Sequence, residues 1–197
     1  MKKVYLIGDS IRGGYDSIVR DILQDEAQVL WPNDSSRYAP YTLRALREWA
    51  GDSNLYPEKI DLIHWNCGLW DTHRSGLDDM REIQTAPEEY RRVLKAIVCR
   101  MRKLFPNAAI AFANTTYVIE EYYGTDFSRR NSDIDLYNRI AAEVMGEEGV
   151  EIDDLYTVSR DMPKEYHSED GTHFTPEGYR VLAEAVSDFL RTQLGRK

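Results

Sequence analysis

Hydrophobic residues along the chain form short apolar runs that alternate with segments of helical periodicity. The runs predicted as β-strands lie at residues 4–7, 28–31, 61–66, 108–113 and 150–152. The predicted helices begin near residues 16, 40, 87, 131 and 175, three of them with a proline in the first turn. The resulting order, β-α-β-α-β-α-β-α-β-α, predicts a parallel sheet with helices on both faces.

Three predicted loops are long and polar, at residues 67–86, 115–130 and 153–172. Each follows the carboxyl end of a strand, where open α/β sheets bind their ligands. Long loops in a compact domain are usually functional. The pattern therefore places a functional site at this edge of the sheet.

Length and composition are those of one α/β domain, which we expect to span residues 1–197. No apolar run is long enough to span a bilayer, and the first predicted strand leaves no room for a signal peptide. Both observations favour a cytoplasmic protein with no membrane partner. Two cysteines, Cys67 and Cys99, predict free thiols rather than a disulfide framework or a metal site.

The charge balance argues against a nucleic-acid partner. The chain holds 34 acidic and 25 basic residues, a net charge of -9, whereas nucleic-acid binding needs a basic surface. Its one basic cluster, at residues 91–103, has helical spacing among apolar residues, which is typical of a solvated helix face. No pattern indicates an oligomeric state.

The segment after the first strand, Gly8-Asp9-Ser10-Ile11-Arg12-Gly13-Gly14, has the glycine spacing of a phosphate-binding P-loop. The lysine and hydroxyl that should follow are replaced by Gly14 and Tyr15. The glycines do not fit the dinucleotide pattern G-x-G-x-x-G either. A phosphate cradle is therefore disfavoured, and Ser10 is left as a candidate nucleophile.

A serine nucleophile needs a base and a group that orients the base. Of the four histidines, His64 lies in a predicted buried strand and His73 and His167 in polar loops, where surface positions are expected. His173 follows Asp170 by three residues, just before a capped helix.

The spacing of Asp170 and His173 allows the carboxylate to accept the imidazole Nδ1 proton. Taken alone, the pair is better interpreted as a turn residue and a helix-start residue. Together with Ser10 at another strand end, it favours a Ser-His-Asp set.

The strings Gly8-Asp9-Ser10 and Asp170-Gly171-Thr172-His173 resemble those of the SGNH hydrolases, the GDSL-like lipases and esterases. The resemblance extends over essentially the whole chain. It implies a three-layer α/β/α sandwich with a five-stranded parallel, flavodoxin-like sheet. It also implies that Ser10 is the nucleophile, His173 the base and Asp170 its orienting group, with no metal or cofactor.

The central motifs of that family are altered. The family places a glycine after strand two and an asparagine, in the string G-x-N-D, after strand three, and both help to form the oxyanion hole. Here no glycine follows strand two, and Gly68-Leu69-Trp70-Asp71 has a tryptophan in place of the asparagine. The loss of one oxyanion donor typically costs about 100- to 1000-fold in turnover. The candidate oxyanion and substrate-binding residues are Ser36, Arg37, Asn66, Gly68 and Trp70.

Alternatives remain open at several of these positions. The Arg37 side chain or a backbone N–H near Ser36 and Arg37 is a candidate donor. Asn66 fits a residue that satisfies nearby loop backbone slightly better than a donor, and Trp70 fits a pocket wall better than a donor. Asp9 is expected to hold its loop, and the glycines to turn the backbone.

The function predicted from these residues is hydrolysis of a small acyl ester by a Ser-His-Asp mechanism. The aromatic loop residues Trp70, Tyr117, Tyr122 and Tyr123 favour an acetylated carbohydrate as the small-molecule substrate. The alternative is a non-catalytic module of the same fold that binds a carbohydrate or metabolite. A metal-dependent hydrolase using Asp9, Asp71, Asp170 and His173 is disfavoured, because these residues lack a compact ligand spacing.

Overall fold

The computed structural model describes residues 1–52, 55–75, 82–123 and 128–195. Its main sheet has five parallel strands in the order β2-β1-β3-β6-β7, and a separate antiparallel pair consists of β4 and β5. The strands are β1 (Lys2–Ile7), β2 (Ala27–Leu30), β3 (Leu62–Trp65), β4 (Arg74–Ser75), β5 (Glu82–Ile83), β6 (Ala109–Ala113) and β7 (Glu151–Asp153). The predicted parallel sheet is confirmed, and its strand order is that of flavodoxin-like folds.

Helices cover both faces of the sheet and complete three layers. They are α1 (Ser10–Ile22), α2 (Ala39–Ala50), α3 (Pro87–Leu104), α4 (Asn131–Glu148), α5 (Leu155–Asp161) and α6 (Pro176–Gly195). Helices α1, α5 and α6 pack together over one apolar core, whereas α2, α3 and α4 pack over the other. Among the described residues, no helix is both long and apolar enough to cross a membrane.

The carboxyl ends of the central strands lie side by side. Ile7 of β1 pairs with Trp65 of β3, and Trp65 pairs with Phe112 of β6. The chain therefore leaves all three strands at one edge of the sheet, and the segments that follow them meet there.

Helix α1 begins earlier than the hydrophobic periodicity predicts, at Ser10 rather than near residue 16. Asp9 causes this early start, because its carboxylate caps the helix by accepting the Ile11 N–H at 3.0 Å. Gly13 and Gly14 consequently lie inside a helix, and the expectation that they turn the backbone is wrong.

Helix α5 was also not predicted, because it lies within the polar segment 153–172. Asp154 caps it by accepting the Thr157 N–H at 3.1 Å. Its Leu155 and Ser159 are buried, so its short inward face is too small to produce a clear apolar period.

The contact between α1 and α6 depends on Gly14. A Cβ at this position would lie 2.0 Å from the ring of Tyr179 in α6, so that no larger residue fits without displacing the ring. Since α6 begins at Pro176, this approach also brings the end of the preceding loop to the first turn of α1.

Two histidines are buried in this structure. His64 is buried as predicted, and its Nε2 lies 2.9 Å from Oδ2 of Asp153. His167 is also buried, contrary to the expected surface position, and its Nε2 lies 3.0 Å from the carbonyl oxygen of Ser159. Burial lowers the pKa of His167.

The surface of α3 agrees with its prediction as a solvated basic face. Lys95 pairs with Glu147 of α4 at 2.5 Å, and Arg102 pairs with Glu148 at 2.6 Å. Exposed pairs of this kind contribute little stability. Both cysteines are free thiols, one buried in the core and the other exposed on α3.

Asp71 joins the loop after β3 to the start of α2. It is fully buried, and its two carboxylate oxygens accept the Ala39 N–H at 3.0 and 3.1 Å. Burial raises the pKa of Asp71 to about 7, although the bond from Ala39 acts in the opposite direction. The folded protein therefore binds this proton more tightly than the unfolded chain does.

This raised pKa predicts a pH-dependent stability. As the pH rises from about 4 to about 7, Asp71 should lower the free energy of unfolding by about 1.4 kcal/mol per unit, with no further loss above pH 7. Asp71→Asn keeps an acceptor for Ala39 and removes this dependence. Urea denaturation of both proteins at several pH values measures the difference.

Asp71→Ala also removes the acceptor and should be less stable than Asp71→Asn at every pH. Parallel stability curves for the wild type and Asp71→Asn would contradict the prediction.

Candidate active site

Ser10 occupies the first position of α1, directly beyond the carboxyl end of β1. Its side chain is exposed, and its Oγ lies 2.8 Å from Nε2 of His173. Its backbone N–H is one of the helix N-terminal groups that have no acceptor within the helix. The side chain thus faces an imidazole, and the backbone offers a donor beside it.

The loop before α6 brings Asp170 and His173 together. Nδ1 of His173 lies 2.5 Å from Oδ2 of Asp170. The other carboxylate oxygen, Oδ1, accepts the backbone N–H groups of Thr172 and His173 and the hydroxyl of Ser168, at 2.7 to 2.9 Å. Burial alone would raise the pKa of Asp170, but these hydrogen bonds outweigh it and hold the pKa well below its usual range.

The ionised Asp170 determines which nitrogen of His173 carries the proton. A carboxylate only accepts hydrogen bonds, so Nδ1 is the donor and Nε2 of the neutral ring is left as an acceptor. Nε2 can then accept the hydroxyl proton of Ser10.

Gly171 fixes the turn between these two residues. Its φ of +71° lies in the left-handed region, and a Cβ there would come within 2.6 Å of the Ile119 carbonyl oxygen. In return, the Ile119 N–H donates to the Gly171 carbonyl at 2.8 Å. The turn is thereby tied to the loop that follows β6.

A cleft of about 290 Å³ opens in front of Ser10. It is lined by Ser10, Leu69, Trp70, Tyr123, Ser128, Arg129, Asp170, Thr172 and His173. A groove of about 620 Å³ lies along the edge strand β2 between Met1 and Trp31, and Ser10 is not part of it. The smaller cleft is the candidate site, because it contains the serine and the histidine.

The predicted substrate-binding residues differ in how they relate to this cleft. Trp70 lines it and is 40% exposed, which fits a pocket wall. Gly68 is buried against Thr115 and does not line it. Ser36 is buried, and its N–H already donates to the Gly8 carbonyl at 2.9 Å.

Arg37 and Asn66 do not line this cleft. Arg37 is exposed and has a φ of +50°, and its guanidinium stacks on Tyr41 at 4.5 Å. Asn66 is buried beneath the nucleophile loop, where a Cβ on Gly8 would lie 1.9 Å from its Oδ1.

Asn66 also affects the titration of Asp9. Burial raises the pKa of Asp9, and the Asn66 side chain is the strongest of the groups that act to lower it. Neither Oδ1 of Asn66 nor Oδ2 of Asp9 has a hydrogen-bond partner among the described residues, so the roles considered for Asn66 stay predictions.

The aromatic residues of the loop after β6 have separate roles. Tyr123 lines the cleft, and its hydroxyl lies 2.7 Å from Oγ1 of Thr172. Tyr122 is exposed outside the cleft, and Tyr117 packs edge-on against Tyr156. Only Tyr123 of these three can contact a ligand beside Ser10.

Sequence reasoning missed two arginines at this site. Arg129 lines the cleft, and Arg12 is buried behind the serine. Arg129 lies in no motif, and Arg12 occupies a variable position of the glycine-containing segment after β1, where nothing distinguishes it from a surface arginine. In the described part of the chain, no three His, Cys, Asp or Glu side chains converge in a way that could hold a metal ion.

Comparisons with known proteins identify the family of this chain. The model of the GDSL-like lipase/acylhydrolase family matches residues 6–181, which contain both strings that meet in the cleft. The chain belongs to this family, whose members are hydrolases of the esterase and lipase type. None of the curated proteins matches the chain.

Solved structures share the fold at low sequence identity. A lipase/acylhydrolase from Enterococcus faecalis has a TM-score of 0.76 and 20% identity, over 98% of this chain and 97% of its own. An acetyl xylan esterase, AlAXEase, has a TM-score of 0.69 and 16% identity, over 95% and 98% respectively. These likenesses confirm the three-layer fold.

Arg12 connects the nucleophile loop to the loop after β2. Its guanidinium pairs with Asp16 at 2.5 Å and donates to the carbonyl oxygens of Asp34 at 2.7 Å and Gly8 at 3.4 Å. The side chains of Arg12 and Asp16 are only 7% and 9% exposed. Removing one partner would therefore leave the other charge buried without compensation.

We expect Arg12→Met to lower the free energy of unfolding by about 3–5 kcal/mol, because Asp16 stays buried without its partner. The double variant Arg12→Met/Asp16→Leu should recover part of this loss. Urea denaturation monitored by circular dichroism measures both.

Arg20→Met is the matched control on the same helix, where the Arg20–Asp21 pair is exposed. It should cost about 1 kcal/mol or less. An equally small loss for Arg12→Met would contradict a stabilising role for the buried pair.

Proposed function

We propose that this protein is a serine ester hydrolase whose catalytic residues are Ser10, His173 and Asp170. The observation that supports this most strongly is the continuous hydrogen-bond chain from Ser10 Oγ to His173 and on to Asp170, with distances of 2.8 and 2.5 Å. Ester hydrolysis by a serine nucleophile of this type uses a hydroxyl, a histidine base and a carboxylate that orients the base, linked in this order.

In the proposed mechanism, Ser10 Oγ attacks the ester carbonyl while His173 Nε2 takes the hydroxyl proton. His173 then gives this proton to the leaving alcohol, and an acyl-enzyme remains on Ser10. Water, deprotonated by the same nitrogen, attacks the acyl carbon; the bond to Ser10 Oγ breaks, the acid leaves, and His173 returns the proton to Ser10. Asp170 holds the imidazole in orientation and stabilises its charged form.

The Ser10 N–H is the first proposed donor to the oxyanion, because it lies at the positive end of α1. Ser36 is disfavoured as a second donor, since its N–H is bonded to Gly8. The backbone N–H of Arg37 is less engaged, because its contact with Ser35 Oγ is 3.4 Å long. We therefore favour Arg37 as the second donor over Asn66, which is buried beneath the nucleophile loop.

The dimensions of the cleft favour a small acyl group over a long lipid chain. A volume of about 290 Å³ is at the small end of ligand-binding pockets. Its aromatic and hydroxyl side chains, from Trp70, Tyr123 and Thr172, are suited to stack on and hydrogen-bond with a sugar. An acetylated carbohydrate is accordingly the substrate class that we propose.

A fluorophosphonate probe tests the nucleophile. We expect it to label wild-type protein at Ser10, and Ser10→Ala to lose the label and about 10⁴-fold or more of its activity on p-nitrophenyl acetate. Peptide mapping locates the modified serine.

Ser17→Ala provides a control, because Ser17 is exposed on the same helix outside the cleft. This variant should be labelled as the wild type is. Folded wild-type protein that takes no label would contradict the proposal and favour a binding module.

A series of p-nitrophenyl esters tests the acyl preference. We expect kcat/KM to fall by about tenfold or more between the acetate and the octanoate, because the longer chain exceeds the cleft. Acetate release from a peracetylated xylose, measured in parallel, tests the sugar. Faster cleavage of the octanoate would overturn the assignment of a small acyl group.

A further inference from the structure

Arg129 is the one arginine in the wall of the catalytic cleft among the residues that the structure describes. It is half-buried, and its Nε donates to the Leu69 carbonyl oxygen at 2.7 Å. This bond fixes the guanidinium next to Trp70, on the same cleft as Ser10. Arg129 also acts to lower the pKa of Tyr123 in the same cleft wall, although burial raises that pKa overall. Because Nε is already engaged, the terminal nitrogens carry the N–H groups that a ligand beside Tyr123 can reach.

No carboxylate within the part of the chain that is described forms an ion pair with this guanidinium. The ion pairs between described side chains use other arginines and do not include Arg129. Asp170, the acidic residue of the cleft wall, is already bonded to His173. Burial raises the pKa of the nearby Asp9, and Arg129 is one of the charges that oppose this rise.

Hydroxyl side chains share the cleft wall with Arg129. Ser128 precedes it in the cleft wall, and the hydroxyls of Tyr123 and Thr172, also in the wall, lie 2.7 Å apart. A guanidinium with neighbouring hydroxyls is suited to an acceptor that carries negative charge. One guanidinium balances one charge, as a carboxylate requires.

The net negative charge of the whole protein makes a positive side chain in the cleft important for binding an anion. With a net charge of -9, the protein's overall field repels anions. An anionic substrate therefore needs a local positive group at the point of binding. A neutral sugar ester would not need one.

We propose that Arg129 binds a carboxylate carried by the ester substrate, so that the enzyme prefers esters of acidic molecules to neutral ones. The inference rests on the proposed function, since it assumes that an ester occupies this cleft. The carboxylate can lie on the acyl part or on the alcohol part, and the two arms of the experiment distinguish these.

The first arm compares p-nitrophenyl hemiglutarate with its methyl ester, which places or removes the charge on the acyl part. The second arm compares para-acetoxybenzoate with its methyl ester, where the charge is on the leaving part. For each ester, kcat/KM is measured with the wild type, Arg129→Gln and Arg129→Lys. Ratios between proteins cancel the intrinsic reactivity of each ester.

In at least one arm, Arg129→Gln should lower kcat/KM for the charged ester about 10- to 100-fold more than for its neutral partner. Arg129→Lys should retain part of the preference, because it keeps the charge. Arg130→Gln is the matched control, since Arg130 is exposed and outside the cleft wall. It should change neither ester.

An equal loss on charged and neutral esters would overturn the inference and assign Arg129 to oxyanion stabilisation. No loss on either pair would overturn it as well. Circular dichroism melting curves of the variants show whether a loss reflects unfolding.

A binding measurement on Ser10→Ala separates this inference from the proposed function. Ligand-observed NMR should detect monomethyl glutarate at lower concentrations than dimethyl glutarate, and Arg129→Gln should abolish the difference. Preferential binding of monomethyl glutarate, with no turnover of any ester by the wild type, would contradict the proposed hydrolase function while supporting the anion site. Turnover of neutral esters without selective binding would do the reverse.

Discussion

The close packing of α1 against α6 is the constraint on which the candidate site depends. The serine begins one of these helices, and the histidine lies just before the other. Gly14 allows the ring of Tyr179 to lie where a Cβ would be, so the helices approach until Ser10 and His173 are 2.8 Å apart. A wider separation would break this hydrogen bond even if both residues were present.

Three aspartate carboxylates hold the loops of the site in place, two from the protein interior and one from the cleft. Asp9 and Asp71 lie in the protein interior, where burial raises the pKa of each, and each accepts a backbone N–H at the start of a helix. Asp170 is partly exposed and surrounded by donors, which hold its pKa low. Aspartate residues therefore act as acceptors for helix N-termini in the interior and, at position 170, as the charged partner of His173 in the cleft.

Hydrophobic pattern predicted the five strands and most helices, because parallel strands covered on both faces must be apolar almost throughout. It missed the first turns of α1, since an N-cap acts through one hydrogen bond that leaves no apolar period. The Ser-His-Asp set could be recognised from local strings. Arg129 could not, because only the fold brings that loop residue beside Ser10. The prediction that His167 lies at the surface is wrong for the same reason, because the carbonyl oxygen that its ring contacts belongs to Ser159 of α5.

The hydrogen bond between Ser10 and His173 joins residues 163 positions apart. A polypeptide growing on the ribosome exposes Ser10 early and residues 170–173 much later, because synthesis proceeds from the N-terminus. During that interval the hydroxyl has no imidazole beside it. The hydrogen-bonded pair that we propose as nucleophile and base therefore exists only after α6 has packed on α1, which couples the formation of this pair to the completion of folding.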